Sequence, residues 1–389
     1  MTSLSPPPTD RIATIERARR RVMDGDHTAL ALSTGVDAWI ERSWQRCLGL
    51  GFRPDFRVGF DVVTAAGARR THETNLQLVQ AARPHLERLT RAIAPTRYFA
   101  LLTNADGVVV DTAGPIDRSD RRAQVIARVG VDLSEAAVGT TAIGAALIEQ
   151  QPVWLHRGEH FFADTSVYSC AGAPIFGPQG LCVGMIDVTG IETRERPQLR
   201  HLVRHVARAI ENDLVTAAPA ALRVRLGWPG RAGGSDDDGL ITVDADGRIV
   251  GANPAAREML GLPPLVSRSE TVLDDVFAMP GASLFDAARA PDVPLEMPLW
   301  SGLRVQAWAS ANSTTGAIAA TPRAATRGAA DLATTATPHA PLRAVEADWI
   351  RQAVERARGN VAAAARELGI SRATVYRKLR EARPGAASD

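Results

Sequence analysis

Between Ala311 and Pro341, eighteen of thirty-one residues are Ala or Thr, and only Ile318 and Leu332 are large and aliphatic. A stretch of that composition cannot bury a core. It separates a long body from a short C-terminal segment, and as a flexible tether it would reach ~30 Å. The length of 389 residues, 45% of them hydrophobic, predicts two to four globular units.

The chain has one lysine, Lys378. A Walker-type phosphate loop needs a Lys after its glycines to reach the β and γ phosphates, so an ordinary P-loop ATPase is excluded. The net charge of +2 is nearly neutral, and any affinity for nucleic acid must be local. Residues 342–384 hold ten Arg or Lys against five acids, a basic segment of the kind that contacts phosphates. Cys47, Cys170 and Cys182 are too few and scattered for a disulfide framework. No apolar run approaches the ~18 residues that span a bilayer. Asp24 and Asp26 stand where a secretion signal would need its apolar core. These features predict a cytoplasmic protein with no membrane partner, its first residues an unstructured entry to a helix.

Helices are expected over residues 12–22 and 39–47, the second with Ile40, Trp44 and Cys47 on one face. From residue 84 onward the pattern becomes a helix followed by strands. Tyr98–Thr103 and Val108–Asp111 flank the turn Asn104-Ala105-Asp106-Gly107. Further strands are read at residues 152–155, 171–175 and 181–188, with a closing helix over 198–214. The expectation is an α+β multidomain protein whose first sheet is covered on one face. A second module begins with Leu240–Asp244 and Arg248–Gly251 around Ala245-Asp246-Gly247, then a helix capped by Asn253 with Pro254 at its first position. One more strand is expected at residues 303–309; residues 263–302 give no readable pattern.

The C-terminal segment reads as an all-α three-helix unit. Val345, Trp349, Ile350, Ala353, Val354 and Ala357 share one face of a first helix ending at Gly359, and Val361–Leu368 form a second. Gly369 is a left-handed stop, and Ser371 caps a third helix whose Val375 and Leu379 face inward. This is a helix-turn-helix. In such units the start of the last helix enters the DNA major groove, where Arg372 can fork onto a guanine and Ala373 or Thr374 can touch a thymine methyl. Ser371 and Tyr376 complete the exposed side, and Arg377, Lys378 and Arg380 suit phosphates.

The run from Gly359 to Leu379 resembles the Fis-type helix-turn-helix that ends bacterial sigma-54-dependent activators. Upstream, four segments resemble the sensor half of acetoin-catabolism-type regulators: Ser43-Trp44-Gln45-Arg46-Cys47 with Gly51-Phe52-Arg53-Pro54, the run Glu135 to Gly144, Gly158-Glu159-His160-Phe161, and Cys170 to Ile175. The resemblance implies a GAF sensor over residues 83–215 after an N-terminal helical segment, 1–82. It further implies a linker over 216–234, a PAS-like module over 235–310, the Ala/Thr-rich linker over 311–341 and the Fis-type unit over 342–389. It also implies a pocket for a small organic effector, with Thr140, Thr141, Trp154, His160, Phe161, Phe162, Tyr168 and Cys170 as candidate lining. Family members place an AAA+ ATPase between sensor and DNA module; this chain has the Ala/Thr stretch there instead. The implied function is an effector-responsive transcription regulator without ATPase activity. It would be a homodimer on double-stranded operator DNA, with RNA polymerase as a further partner and no cofactor, metal or catalytic residue.

Two other readings compete. A GAF-fold thiol reductase would use Cys170 and Cys182, which could face each other across strands. A Fis-like architectural protein would bind DNA without effector. The run His156-Arg157-Gly158-Glu159-His160 spells a zinc-protease pattern, but that chemistry needs both histidines on one helical face, and Gly158 with the strand-like residues before it opposes a helix.

Overall fold

The computed structural model describes residues 8–23, 35–60, 62–230, 233–263 and 271–311, with 352–354, 356 and 375 near the C-terminus. The chain divides into two compact units. The first holds residues 1–218 with 234–240 and 251–269; the second holds 219–233, 241–250 and 270–389.

The first unit opens with four helices, α1 (Pro8–Met23), α2 (Ala38–Gly49), α3 (Ala65–Thr74) and α4 (Leu76–Ile93). Strands β1 (Tyr98–Asn104) and β2 (Val109–Ala113) follow as the expected hairpin. Its turn is set by Asn104, whose side-chain oxygen accepts from the amides of Asp106 and Val108, and by Gly107 at φ +84°. Short helices α5 (Arg121–Ile126) and α6 (Glu135–Val138) lead to α7 (Ala142–Glu149), capped by Thr141 accepting from the Gly144 amide. Strands β3 (Val153–His156), β4 (Tyr168–Phe176) and β5 (Cys182–Ile191) and helix α8 (Leu199–Ala217) complete the unit. The sheet is antiparallel, in the order β2-β1-β5-β4-β3.

Both faces of this sheet are covered, not one. Tyr98, Ala100, Leu102, Ile186 and Val188 pack against Leu86 and Leu89 of α4 and Val203 and Ile210 of α8. On the other face, Phe99, Leu101, Cys170 and Met185 pack with Ile15, Ile40, Trp44, Ile143 and Phe161. The sign of this was already in the sequence. Tyr98 to Leu102 and Tyr168 to Ile175 are buried without alternation, and an unbroken run of that kind belongs to a two-sided layer. A boundary at 82/83 would therefore cut α4 in mid-helix and detach α1 and α2 from a core they share.

The second sheet comprises β6 (Leu222–Gly227), β7 (Gly239–Val243), β8 (Ile249–Ala252), β9 (Leu295–Pro298) and β10 (Arg304–Ala311), in the order β8-β7-β6-β10-β9. Helices α9 (Pro254–Leu260), α10 (Leu273–Val276) and α11 (Ala282–Ala287) lie between β8 and β9 in the chain. The expected linker at 216–234 is thus corrected, because β6 is the middle strand of this sheet. Leu222, Val224 and Leu226 are buried and Arg223 and Arg225 alternate with them, a two-residue period too short to stand out beside longer strands. Leu226→Ala should cost about 2–5 kcal/mol in the second unit's unfolding transition by chemical denaturation, whereas a linker substitution would stay within about 0.5 kcal/mol.

Candidate functional site

Where α7 and the segment before β4 lie over the β1-β5-β4 face, the packing leaves a small cavity of about 30 Å³, room for roughly two waters. Its walls are apolar: Leu101 from β1, Val138 from α6 and Ile143 from α7. Of the expected lining residues, Thr141, His160, Tyr168 and Cys170 reach it.

The other four are placed elsewhere. The Thr140 hydroxyl is 2.7 Å from that of Ser43 and 3.5 Å from the Cys47 sulfur. Trp154 belongs to the opposite face, with α4 and α8. Phe161 is fully buried edge-on against Phe162. Phe162 meets Phe52 and borders a separate open cleft beside α1.

Two residues the sequence reading overlooked, Asp187 and Thr189 of β5, also line the cavity. They form a buried polar chain with the predicted residues. Thr189 donates to Asp187 Oδ2, and its hydroxyl lies 3.3 Å from the Cys170 sulfur. That sulfur is 3.5 Å from His160 Nε2, while His160 Nδ1 lies 2.9 Å from the Arg157 carbonyl. A carbonyl only accepts, so Nδ1 carries the proton and Nε2 is left to accept from the thiol. Burial sets the charges: it pushes the Asp187 carboxyl up to about 7, the His160 imidazole down to about 4, and the Cys170 thiol well above its usual value.

That environment is wrong for thiol chemistry, which needs a thiolate. Nor do the two cysteines meet. In the β4–β5 register Cys170 faces Thr189 and Cys182 faces Phe176. The histidine motif is no helix either. His156 ends β3, its amide donating to Glu159, and its ring lies 2.7 Å from the Ser169 hydroxyl; Arg157–Glu159 is a single 3-10 turn.

The N-terminal helices hold the cavity's outer wall. Arg19 donates to the carbonyls of Gly158, His160 and Phe161 at 2.5 to 2.8 Å, and Trp44 Nε1 donates to that of Glu159. Arg11 pairs with the Glu159 carboxylate, which burial pushes up to about 7. On α2, Arg46 grips Glu135 with two nitrogens and reaches Glu149, and Ser43 donates to Glu135.

The family model described as MimR, N-terminal domain, matches residues 11–212, more than half of the chain. The chain belongs to this family. A PAS-fold model matches residues 235–279, and the model of bacterial regulatory proteins of the Fis family matches 341–381. The acetoin catabolism regulatory protein of Cupriavidus necator is 31% identical over 255 residues, 61% of this chain and 38% of that protein. The propane 2-monooxygenase operon transcriptional activator MimR of Mycolicibacterium smegmatis is 29% identical over 211 residues, 54% of this chain and 34% of the relative. The chain thus spans little more than a third of the length of either relative. Among solved structures, the E. coli DhaR(N)–DhaL complex overlaps 70% of this chain and 98% of its own, at 16% identity and a TM-score of 0.43. The expected DNA-contacting residues Ser371, Arg372, Ala373, Thr374, Tyr376, Arg377, Lys378 and Arg380 lie outside the described residues. Val375, between them in sequence, is helical and buried.

A carboxyl whose folded pKa exceeds its unfolded one takes up a proton on folding, so its contribution to stability falls as pH rises between the two values. For Asp187 that window runs from about pH 4 to about pH 7. Thermal melts of Asp187→Asn and the parent should coincide near pH 4, separate in favour of the variant up to pH 7, and stay parallel above. A gap independent of pH would contradict the assignment.

Proposed function

We propose that the chain is an effector-responsive, DNA-binding transcription regulator. The first unit acts as a GAF-type sensor completed by α1 and α2, the second as a PAS-like module, and the Fis-type segment as the reader of operator DNA. One juxtaposition carries the reading: an apolar cavity with a buried polar chain inside the MimR-type region, in the same chain as a Fis-type match. Apolar walls with a few placed polar groups are the make-up of small-molecule sites, and at about 30 Å³ this one has to expand to take such a guest. Relatives named for acetoin catabolism and a propane monooxygenase operon are in keeping with an effector of that size.

The mechanism follows from linkage. An effector that binds one arrangement of the sensor better than another shifts the population by that difference in affinity. Two Fis-type units in a homodimer would read half-sites ~34 Å apart, with Arg372 on a guanine and Arg377, Lys378 and Arg380 on phosphates. RNA polymerase is the partner through which occupancy would alter transcription, and no cofactor or catalytic step is required. The one lysine leaves no phosphate loop, so promoter opening driven by ATP is not part of the proposal.

The thiol reductase reading is disfavoured by the uncharged, enclosed Cys170 and by the register that separates it from Cys182. An architectural role is separated by discrimination between sites: such a protein would bind with a steep salt slope and little sequence preference. Gel shifts on DNA flanking its own gene test the proposal. Arg372→Ala should lower affinity roughly tenfold or more and relax sequence preference, and Arg377→Ala should weaken all sites alike and flatten the salt slope. Unchanged binding by the double variant would refute it.

A further inference from the structure

Asp187 lies near the middle of β5, paired in register with Leu101 on one side and Gly172 on the other, and is fully buried. Its Oδ2 accepts from Thr189, but Oδ1 has no hydrogen-bond partner. A buried acceptor left unmade costs stability, and an apolar side chain of similar shape would remove that cost. The fold does not need the carboxyl, since β5 is held by its backbone ladder.

The other polar side chains lining the cavity each hydrogen-bond within the protein. Tyr168 donates to the Arg122 carbonyl, Thr165 to that of Phe162, and Thr141 accepts from the Gly144 amide. His160, Cys170 and Thr189 belong to the chain already described. Among the described residues that line the cavity, Asp187 Oδ1 is therefore the one side-chain oxygen or nitrogen that makes no hydrogen bond. Among the described residues, no arginine or lysine lines the cavity, so nothing there would balance an anionic guest.

We propose that Asp187 is the anchor that selects the effector, and that the effector is a small uncharged molecule with a hydroxyl that donates to Asp187 Oδ1, carboxylates being rejected. This rests on the sensor reading of the cavity. The guest's hydroxyl satisfies the stranded oxygen, its carbon skeleton lies against Leu101, Val138 and Ile143, and the cavity widens to admit it. A carboxylate would meet Asp187 as a like charge without a counter-ion. A ketone without a donor would leave Oδ1 as it is.

Ligand-observed NMR on the full chain at pH 8.5 tests this with three probes of one size: 2-butanol, 2-butanone and butyrate. At that pH the Asp187 carboxyl is ionised and takes only donors. Its titratable neighbours around the cavity stay neutral: His160 is held down, and Tyr168 and Cys170 are held up, by burial. The expected result is 2-butanol binding about tenfold tighter than either other probe. Asp187→Leu should erase the preference for 2-butanol over 2-butanone. Asp187→Asn, which presents an amide N–H as well as an oxygen, should bind the ketone about as well as the alcohol, and it carries the test if the leucine variant does not fold. If the parent binds butyrate as well as 2-butanol, or if both variants keep the alcohol preference, Asp187 is not the anchor and the sensor reading survives. If none of the probes binds the parent, the cavity reading itself is overturned.

Discussion

The buried carboxylate of Glu135 is the pin on which the first unit turns. Arg46 holds both of its oxygens and Ser43 donates to it, so one residue at the start of α6 is fastened to two successive turns of α2. Arg46 and Arg42 both reach on to Glu149 at the end of α7. Breaking such a pair leaves an uncompensated charge inside, at a cost of about 3–5 kcal/mol. The residues that follow Glu135 are placed by this contact. A side chain at Gly144 would come within 2.6 Å of the Glu135 amide nitrogen, and one at Gly139, where φ is +68°, would strike the Phe162 ring at 2.7 Å. Both glycines thus let α6, α7 and the aromatic segment close together, and that closure forms the cavity.

The segment from His156 to Phe162 makes the same point from the other side. It leaves the sheet after β3, so several of its carbonyls have no strand partner, and buried backbone groups must be satisfied somehow. Arg19 and Trp44 satisfy them from α1 and α2. The Arg19 guanidinium also lies 5.4 Å from the Trp44 ring centroid. The N-terminal helices therefore hold in place the segment that brings His160 to the cavity, while the sheet supplies Leu101, Cys170, Asp187 and Thr189 to its wall.

Much of this was legible in the chain itself. The hairpin around Asn104 and Gly107, the capped α9 and the strands β4 and β5 follow from turn residues and short apolar runs. The Ser43-Trp44-Gln45-Arg46-Cys47 motif marked a family, and the structure adds what its members touch: Ser43 and Arg46 the buried carboxylate, Trp44 a carbonyl, Cys47 the Thr140 hydroxyl. What stayed hidden depends on tertiary pairing. Trp154 and Tyr168 look equally suited to a pocket, yet the parity of β3 turns Trp154 to the other face. Asp187 sits in an apolar strand where a lone acid usually marks an exposed edge, and its burial follows only once α7 and the His160 segment cover that side. β6 was missed because five residues of alternating Leu, Arg and Val, ended by Gly227, weigh little against the turn-rich stretch around them.

Native-state hydrogen exchange on the full chain tests most directly whether α2 and the sheet form one body. Amides of α2, α6 and α7 should open with the same free energy as those of β4 and β5, because the Glu135 contact and the shared core couple them into one cooperative unit. Exchange in α2 that is orders of magnitude faster than in β4 and β5, and insensitive to destabilising the sheet, would contradict the account.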